Sequence, residues 1–223
     1  MFKKSLPILL LIASTIGCRP EKEIAGADSY YPIKSGKSSV FEVTKTFYSI
    51  TAPPRVTQHT IQHTIGESYT DPAGQNVFPV TYASRTNDLV WKADSVTAVW
   101  QTQNLVMGLE NGQTIVKMHL PLQERSVWDG NAYNSLGQRR FEIINLGKPR
   151  QVGTVTFPNT VTIVRQNDST LLSQKKHIEV YAEGVGLIRK EIIYINFCYS
   201  TDCKPGTIQS GWQEINVIKT QMQ

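Results

Sequence analysis

The feature that most limits the fold of this chain is the spacing of its apolar residues, which repeats at every second position rather than every third or fourth. Phe41, Val43 and Phe47 share one parity while Glu42, Thr44 and Thr46 take the other. The same alternation recurs in Val155 and Phe157, in Val161 and Ile163, in Ile178, Val180 and Ala182, and in Ile215 and Val217. A strand turns successive side chains to opposite faces, so these runs predict strands with one buried and one wet face. Turn formers separate the runs: Asp71-Pro-Ala-Gly74, Glu110-Asn-Gly112, Asp129-Gly-Asn131 and Asn167-Asp-Ser169. No window beyond the N-terminal leader carries an apolar stripe at helical spacing with caps, so little helix is expected there. The expectation is an all-β, mainly antiparallel fold of roughly ten strands, arranged as a strongly curved sheet, an open barrel or a two-sheet sandwich.

The first residues follow a different rule. Lys3 and Lys4 precede an apolar stretch from Leu6 to Ile12, and small or neutral residues then lead to Cys18. This is the pattern of an export leader. The 14 positions between Lys4 and Arg19 fall short of the roughly 20 apolar residues that a membrane span requires. Thr15-Ile16-Gly17-Cys18 resembles the lipobox of bacterial lipoproteins, in which the cysteine receives lipid before the leader is cut; Thr15 stands where the family favours leucine. The expected organisation is a lipoprotein signal peptide over 1–17, a lipidated tether over 18–37 that becomes ordered near Tyr30 and Tyr31, and a single β-rich domain over 38–223. A chain of 223 residues with 40% hydrophobic and 18% charged residues is suited to one such domain and excludes wholesale disorder.

With Cys18 assigned to lipid, Cys198 and Cys203 remain, and an oxidising compartment would pair them. So short a loop is worth about 2 kcal/mol or less. Two thiolates with no further Cys or His pair beside them fall short of a structural zinc site. The formal charge drops from +5 to +3 when Lys3 and Lys4 leave with the leader. The basic residues occur as scattered pairs such as Arg139-Arg140 and Lys175-Lys176, so no nucleic-acid partner is expected.

The residues that could carry chemistry are few. His59 and His63 have helical metal-site spacing, but their neighbours favour a strand, where four residues span about 13 Å and one ion cannot be shared. No metal or other cofactor is expected. There is no Gly-x-Ser-x-Gly turn or other activated nucleophile, and no catalytic residue is assigned. Glu110, Asp129, Glu142, Glu179 and Glu191 read as acids on wet strand faces, with a glycosidase-type pair as the alternative. Trp100 is expected in the core on the face of Val96 and Ala98. Trp128, beside a turn, is the tryptophan best placed for exposure and with Tyr133 is the candidate ligand-binding pair. A curled sheet could also enclose an apolar cavity.

Three stretches together resemble a group of lipoproteins common in Bacteroidetes-type bacteria: Tyr31-Pro-Ile-Lys-Ser-Gly36, Trp128-Asp-Gly-Asn-Ala-Tyr-Asn134, and Glu179 to Glu191 with its Val185-Gly-Leu-Ile188 element. That element also looks like one in envelope proteins with a LolA-like curved sheet or half-barrel. The resemblance implies an architecture and no reaction. The expected location is the outer membrane, with the protein held by lipid and facing periplasm or cell surface. The functional expectation is a non-enzymatic envelope lipoprotein that binds a hydrophobic ligand or an envelope protein. A glycan-binding or glycan-hydrolysing protein and a purely structural component are the alternatives.

Overall fold

The computed structural model describes residues 27–86, 90–201 and 203–222; the leader and Cys18 lie outside them. Among the described residues a four-residue helix, α1 (Ala27–Tyr30), precedes thirteen strands. The first seven are β1 (Ser38–Ser49), β2 (Ala52–Ile65), β3 (Tyr69–Thr70), β4 (Asn76–Arg85), β5 (Lys92–Gln101), β6 (Leu105–Glu110) and β7 (Gln113–His119). The remaining six are β8 (Val127–Asp129), β9 (Arg140–Val152), β10 (Val155–Ser169), β11 (Ser173–Ala182), β12 (Gly186–Phe197) and β13 (Ile208–Met222).

All thirteen belong to one antiparallel sheet in the order β7-β6-β5-β4-β2-β1-β13-β12-β11-β10-β9-β8, with β3 appended to β4. Of the three expected forms the chain therefore takes the barrel. Two meandering arms, β1 to β7 and β8 to β13, are joined at the middle by the first and last strands, with Val43 opposite Asn216. The free ends of the arms then meet. Val116 of β7 donates its N–H to the Gly130 carbonyl at 2.9 Å, and the Trp128 indole N–H returns to the Val116 carbonyl at 2.9 Å. Asn134 Nδ2 adds a third tie to the Thr114 carbonyl at 2.8 Å. The sheet is thus a nearly closed barrel, which leaves little edge to pair with other chains.

Curvature comes from breaks in register between Val40 and Phe41, Val164 and Gln166, and Val180 and Tyr181, where an extra residue bends one strand. Asn111 and Gly112 take φ values of 50° and 75°, the geometry that lets a two-residue turn follow the twist of a hairpin. Gly130 has another role. A Cβ there would collide with the Phe141 ring, so only glycine lets the seam lie against the core.

Side chains from β6 to β10 fill one part of the barrel, with Val106, Met118, Phe141, Ile143, Val161 and Ile163 all buried. A smaller cluster on the other face sets Val152 and Phe157, from the β9–β10 hairpin, against Val180, Ala182 and Ile188. Strand β11 is consequently buried on both faces: Val180 and Ala182 face this cluster, while Glu179 and Tyr181 are also buried. The expectation of one wet face fails for it. Two further expectations are corrected. Asn167 to Ser169 continue β10, and the chain turns at Thr170 to Leu172. Val99 is the inward residue of β5, whereas Val96, on the parity of Trp100, is 66% exposed.

The segment counted with the tether is packed from α1 onward. Tyr30 is 3% exposed, the Tyr31 ring lies 5.5 Å from that of Tyr181, and the Gly184 N–H donates to the Ser29 carbonyl. Gly184 and Gly186, at φ of 74° and 92°, make the expected turn between β11 and β12.

If the Trp128 indole helps hold the seam, Trp128→Phe should cost about 1–3 kcal/mol in urea unfolding. Exchange of the Val116 amide should accelerate in the same variant; an unchanged rate would detach that residue from barrel closure.

Candidate functional site

A cavity of about 400 Å³, partly open to solvent, remains inside the barrel. Its apolar wall comes from Phe41, Ile61, Ile65, Val80, Val99 and Leu187. Strand alternation explains why these residues converge: on β1 and β2 the inward parity carries Phe41, Ile61, His63 and Ile65. Tyr31, Pro32 and Lys37 contribute from the segment that precedes β1.

The lining also carries Glu110, Lys117 and Glu179, which belong to a charged network centred on Arg165. Arg165 of β10 grips both Glu110 oxygens, Nη1 to Oε1 at 2.8 Å and Nη2 to Oε2 at 2.6 Å. Its Nη1 also reaches Glu179 Oε1 at 2.9 Å, and its guanidinium lies 4.9 Å from the centre of the Phe141 ring. Lys117 of β7 pairs with Glu110. Glu179 receives two further bonds, from Tyr181 Oη at 2.6 Å and, with its proton on Nε2, from His177 at 3.0 Å. A planar fork that holds one carboxylate in two-point contact is the arrangement arginine makes best, and lysine could not replace it. Gly108 leaves room for the Lys117 side chain: a Cβ there would stand 3.2 Å from Lys117 Cε.

Burial alone would raise the pKa of both carboxyl groups. For Glu110 the charges of Lys117 and Arg165 outweigh it, and for Glu179 Arg165 and His177 do so; each is held well below the usual carboxylate range. Burial would likewise favour loss of the Lys117 proton, but Glu110 and Glu179 hold it in place. The two positive and two negative charges compensate each other inside the protein. Burial also pushes the Tyr31 hydroxyl up to about 12 and the His63 imidazole down to about 3, with Lys190 and Lys117 adding to the effect on His63. The His63 ring is clasped between Phe41 and Tyr82, at centroid distances of 4.8 and 4.2 Å. It is neutral at physiological pH.

This chemistry separates the functional classes. A glycosidase acid must hold its proton near neutrality, which requires a raised pKa. Glu110 and Glu179 are both driven the other way. They were expected on wet faces; the alternation pattern placed them opposite the apolar parity, and nothing local in the sequence shows that both faces are covered.

The other sequence candidates lie apart from the cavity lining. Trp128 is 8% exposed, with its ring edge-on to Phe141 at 5.8 Å, so it belongs to the core wall rather than to an exposed platform. Tyr133 is 58% exposed. Cys198 and Cys203 form a disulfide that closes the loop between β12 and β13. Among the described residues no group of three or more His, Cys, Asp or Glu is placed to hold a metal ion. His59 shares β2 with His63.

No protein-family model matches the chain, and no curated protein matches it. Among solved structures, a candidate exported protein of Bacteroides fragilis with a YmcC-like fold superposes with a TM-score of 0.47 at 9% identity, over 87% of this chain and 99% of that one. A candidate lipoprotein of Parabacteroides distasonis superposes with a TM-score of 0.39 at 11% identity, over the same shares. Likeness of this size assigns neither family nor activity to this chain, and it does not bear on the LolA-like expectation.

Arg165→Met should lower stability by about 3–5 kcal/mol, because it takes the guanidinium from the buried Glu179 and leaves the part-buried Glu110 with Lys117 alone. Replacing Glu110, Lys117, Arg165 and Glu179 together by Met or Leu should restore most of the loss in urea unfolding.

A second outcome concerns pH. His63 is neutral when folded down to about 3, whereas the unfolded side chain takes a proton near 6.5. The unfolded state therefore binds the extra proton as pH falls through that window, and stability falls with it. The depressed carboxylates contribute fully above their unfolded values, near 4.3, and lose that contribution only below them. Thermal unfolding from pH 7.5 to 4.5 should show a shallower decline in Tm for His63→Gln than for the parent; parallel slopes would contradict this.

Proposed function

We propose that this chain is an exported, lipid-anchored envelope protein whose barrel binds a small amphiphilic molecule in its interior cavity. The observation that carries the reading is the composition of that cavity, which joins aliphatic and aromatic side chains to a few fixed polar groups, Glu110, Lys117 and Glu179 being neutralised together with Arg165. Ligand pockets commonly combine an apolar lining with a few fixed polar groups, and 400 Å³ lies within the usual range of about 300–1,000 Å³. A rigid, internally balanced polar wall orients a guest without demanding a reaction from it.

Location follows from the sequence. The leader ending at Cys18 directs export, lipid on that cysteine holds the protein at a membrane, and the outer membrane, facing periplasm or surface, is the proposed site. The paired cysteines suit an oxidising compartment. Hydrolysis of glycans is the weaker reading, because neither buried carboxylate is poised to donate a proton.

Native mass spectrometry of protein purified from its own cells should show a bound lipid-sized mass that delipidation removes and a cell-lipid extract restores. Val80→Trp, which fills the cavity, should abolish rebinding while leaving circular dichroism unchanged. A clean unliganded mass with every lipid fraction would end the ligand reading. Labelled palmitate that enters the Cys18→Ser variant as it does the parent would end the anchor reading.

A further inference from the structure

Within the amphiphile-binding reading, on which this inference rests, three cross-strand neighbours on the inner face decide what kind of head group the cavity takes. Glu179 of β11 is opposite Lys190 of β12, and Lys190 is opposite Asn216 of β13; all three line the cavity. Glu179 would be the natural partner for Lys190, but its oxygens are engaged by Arg165, His177 and Tyr181. Every other acid on the lining is also paired: Glu110 with Arg165 and Lys117, and Glu214 with Lys45 at 3.3 Å. Lys190 makes no hydrogen bond or ion pair among the described residues, although it is half-buried. Lysine is rarely withdrawn from water without a partner.

Asn216 supplies an independent observation. It is 5% exposed, and its Oδ1 is fully buried with no hydrogen-bond partner. That oxygen only accepts and is closed off from the cavity, whereas Nδ2 of the same amide, with no hydrogen-bond partner among the described residues, is free to donate to a head group beside the Lys190 ammonium. Lys37, also on the lining, donates from Nζ to the Val185 carbonyl at 2.8 Å; the lining itself carries three lysines and three glutamates, and Arg165 and Lys45, which pair with those glutamates from outside it, tip the balance positive.

We propose that Lys190 and Asn216 form a head-group subsite that takes the carboxylate or phosphate of an anionic amphiphile, with its apolar chain against Phe41, Ile61, Val80 and Val99. The ammonium neutralises the head, and Asn216 Nδ2 fixes its orientation by donating a hydrogen bond to it. The two sources of such a head, a fatty acid and a phosphate monoester, share this chemistry.

Isothermal titration of the purified protein with decanoate, decyl phosphate and decanol tests it. At least one of the two anions should bind about tenfold or more tightly than the alcohol, the size expected for a hydrogen bond to a charged group, and which anion prevails identifies the source. Lys190→Met should erase the preference while leaving decanol binding unchanged, and Lys190→Arg should retain it. Asn216→Asp, which gives Lys190 an internal partner, should weaken the anions alone. Equal binding of anion and alcohol, or a preference that survives in Lys190→Met, would overturn the subsite while leaving the cavity reading intact. Binding of none of the three would remove the cavity reading and the subsite with it.

Discussion

Two carboxylates, a guanidinium and an ammonium lie inside this barrel, and the cost of keeping them from water sets the terms for the rest of the structure. Glu110 and Lys117 come from β6 and β7, Arg165 and Glu179 from β10 and β11. The network therefore crosses the interior and ties one arm of the sheet to the other. Each charge is tolerable only because its partners are held in place, which makes the arrangement a specification of register more than a source of net stability. A slip of one residue in β10 or β11 would turn Arg165 or Glu179 to the other face and strand the remaining charges.

Closure is secured a second time at the backbone. The seam between Val116 and Gly130 joins strands that lie at opposite ends of the hydrogen-bonded order, and it depends on the bare Gly130 and on the Trp128 indole. The side-chain network and the seam thus bring the same two arms together from different places. The cavity is the space that these restraints leave between the packed core and the polar wall.

Much of the architecture was legible in the sequence because period-two alternation is a local property. Phe41 with Val43, and Val161 with Ile163, announced their strands without reference to the fold, and so did the turns at Asn111-Gly112 and Gly184. Information that depends on which strands become neighbours was hidden. Glu179 sits in a run whose apolar parity is Ile178, Val180 and Ala182; its burial became visible only when the barrel closed over its face, while the β9–β10 hairpin covered Val180 and Ala182 on the other. Asn167 to Ser169 carry turn chemistry but pair with Gln174 to Lys176 of β11, so a tertiary ladder overrode a local preference. Trp128 was read from the turn beside it; the seam, formed with a strand 12 residues earlier, decided its burial. The cavity site was the least legible part, since Lys190 and Asn216 are distant in sequence and meet only through β12 and β13.

The short helix α1 has a consequence for how the molecule would stand on a bilayer. Tyr30 and Tyr31 are locked into the body, and Pro32 and Lys37, immediately after them, border the cavity. Only eight residues separate Cys18 from Ala27, a reach of at most about 30 Å over the nine steps. Were Cys18 acylated, the chain length would keep Ala27, and the cavity lining that Pro32 and Lys37 begin, near the lipid headgroups. A guest leaving that surface would then have a shorter path into the barrel than through open solvent.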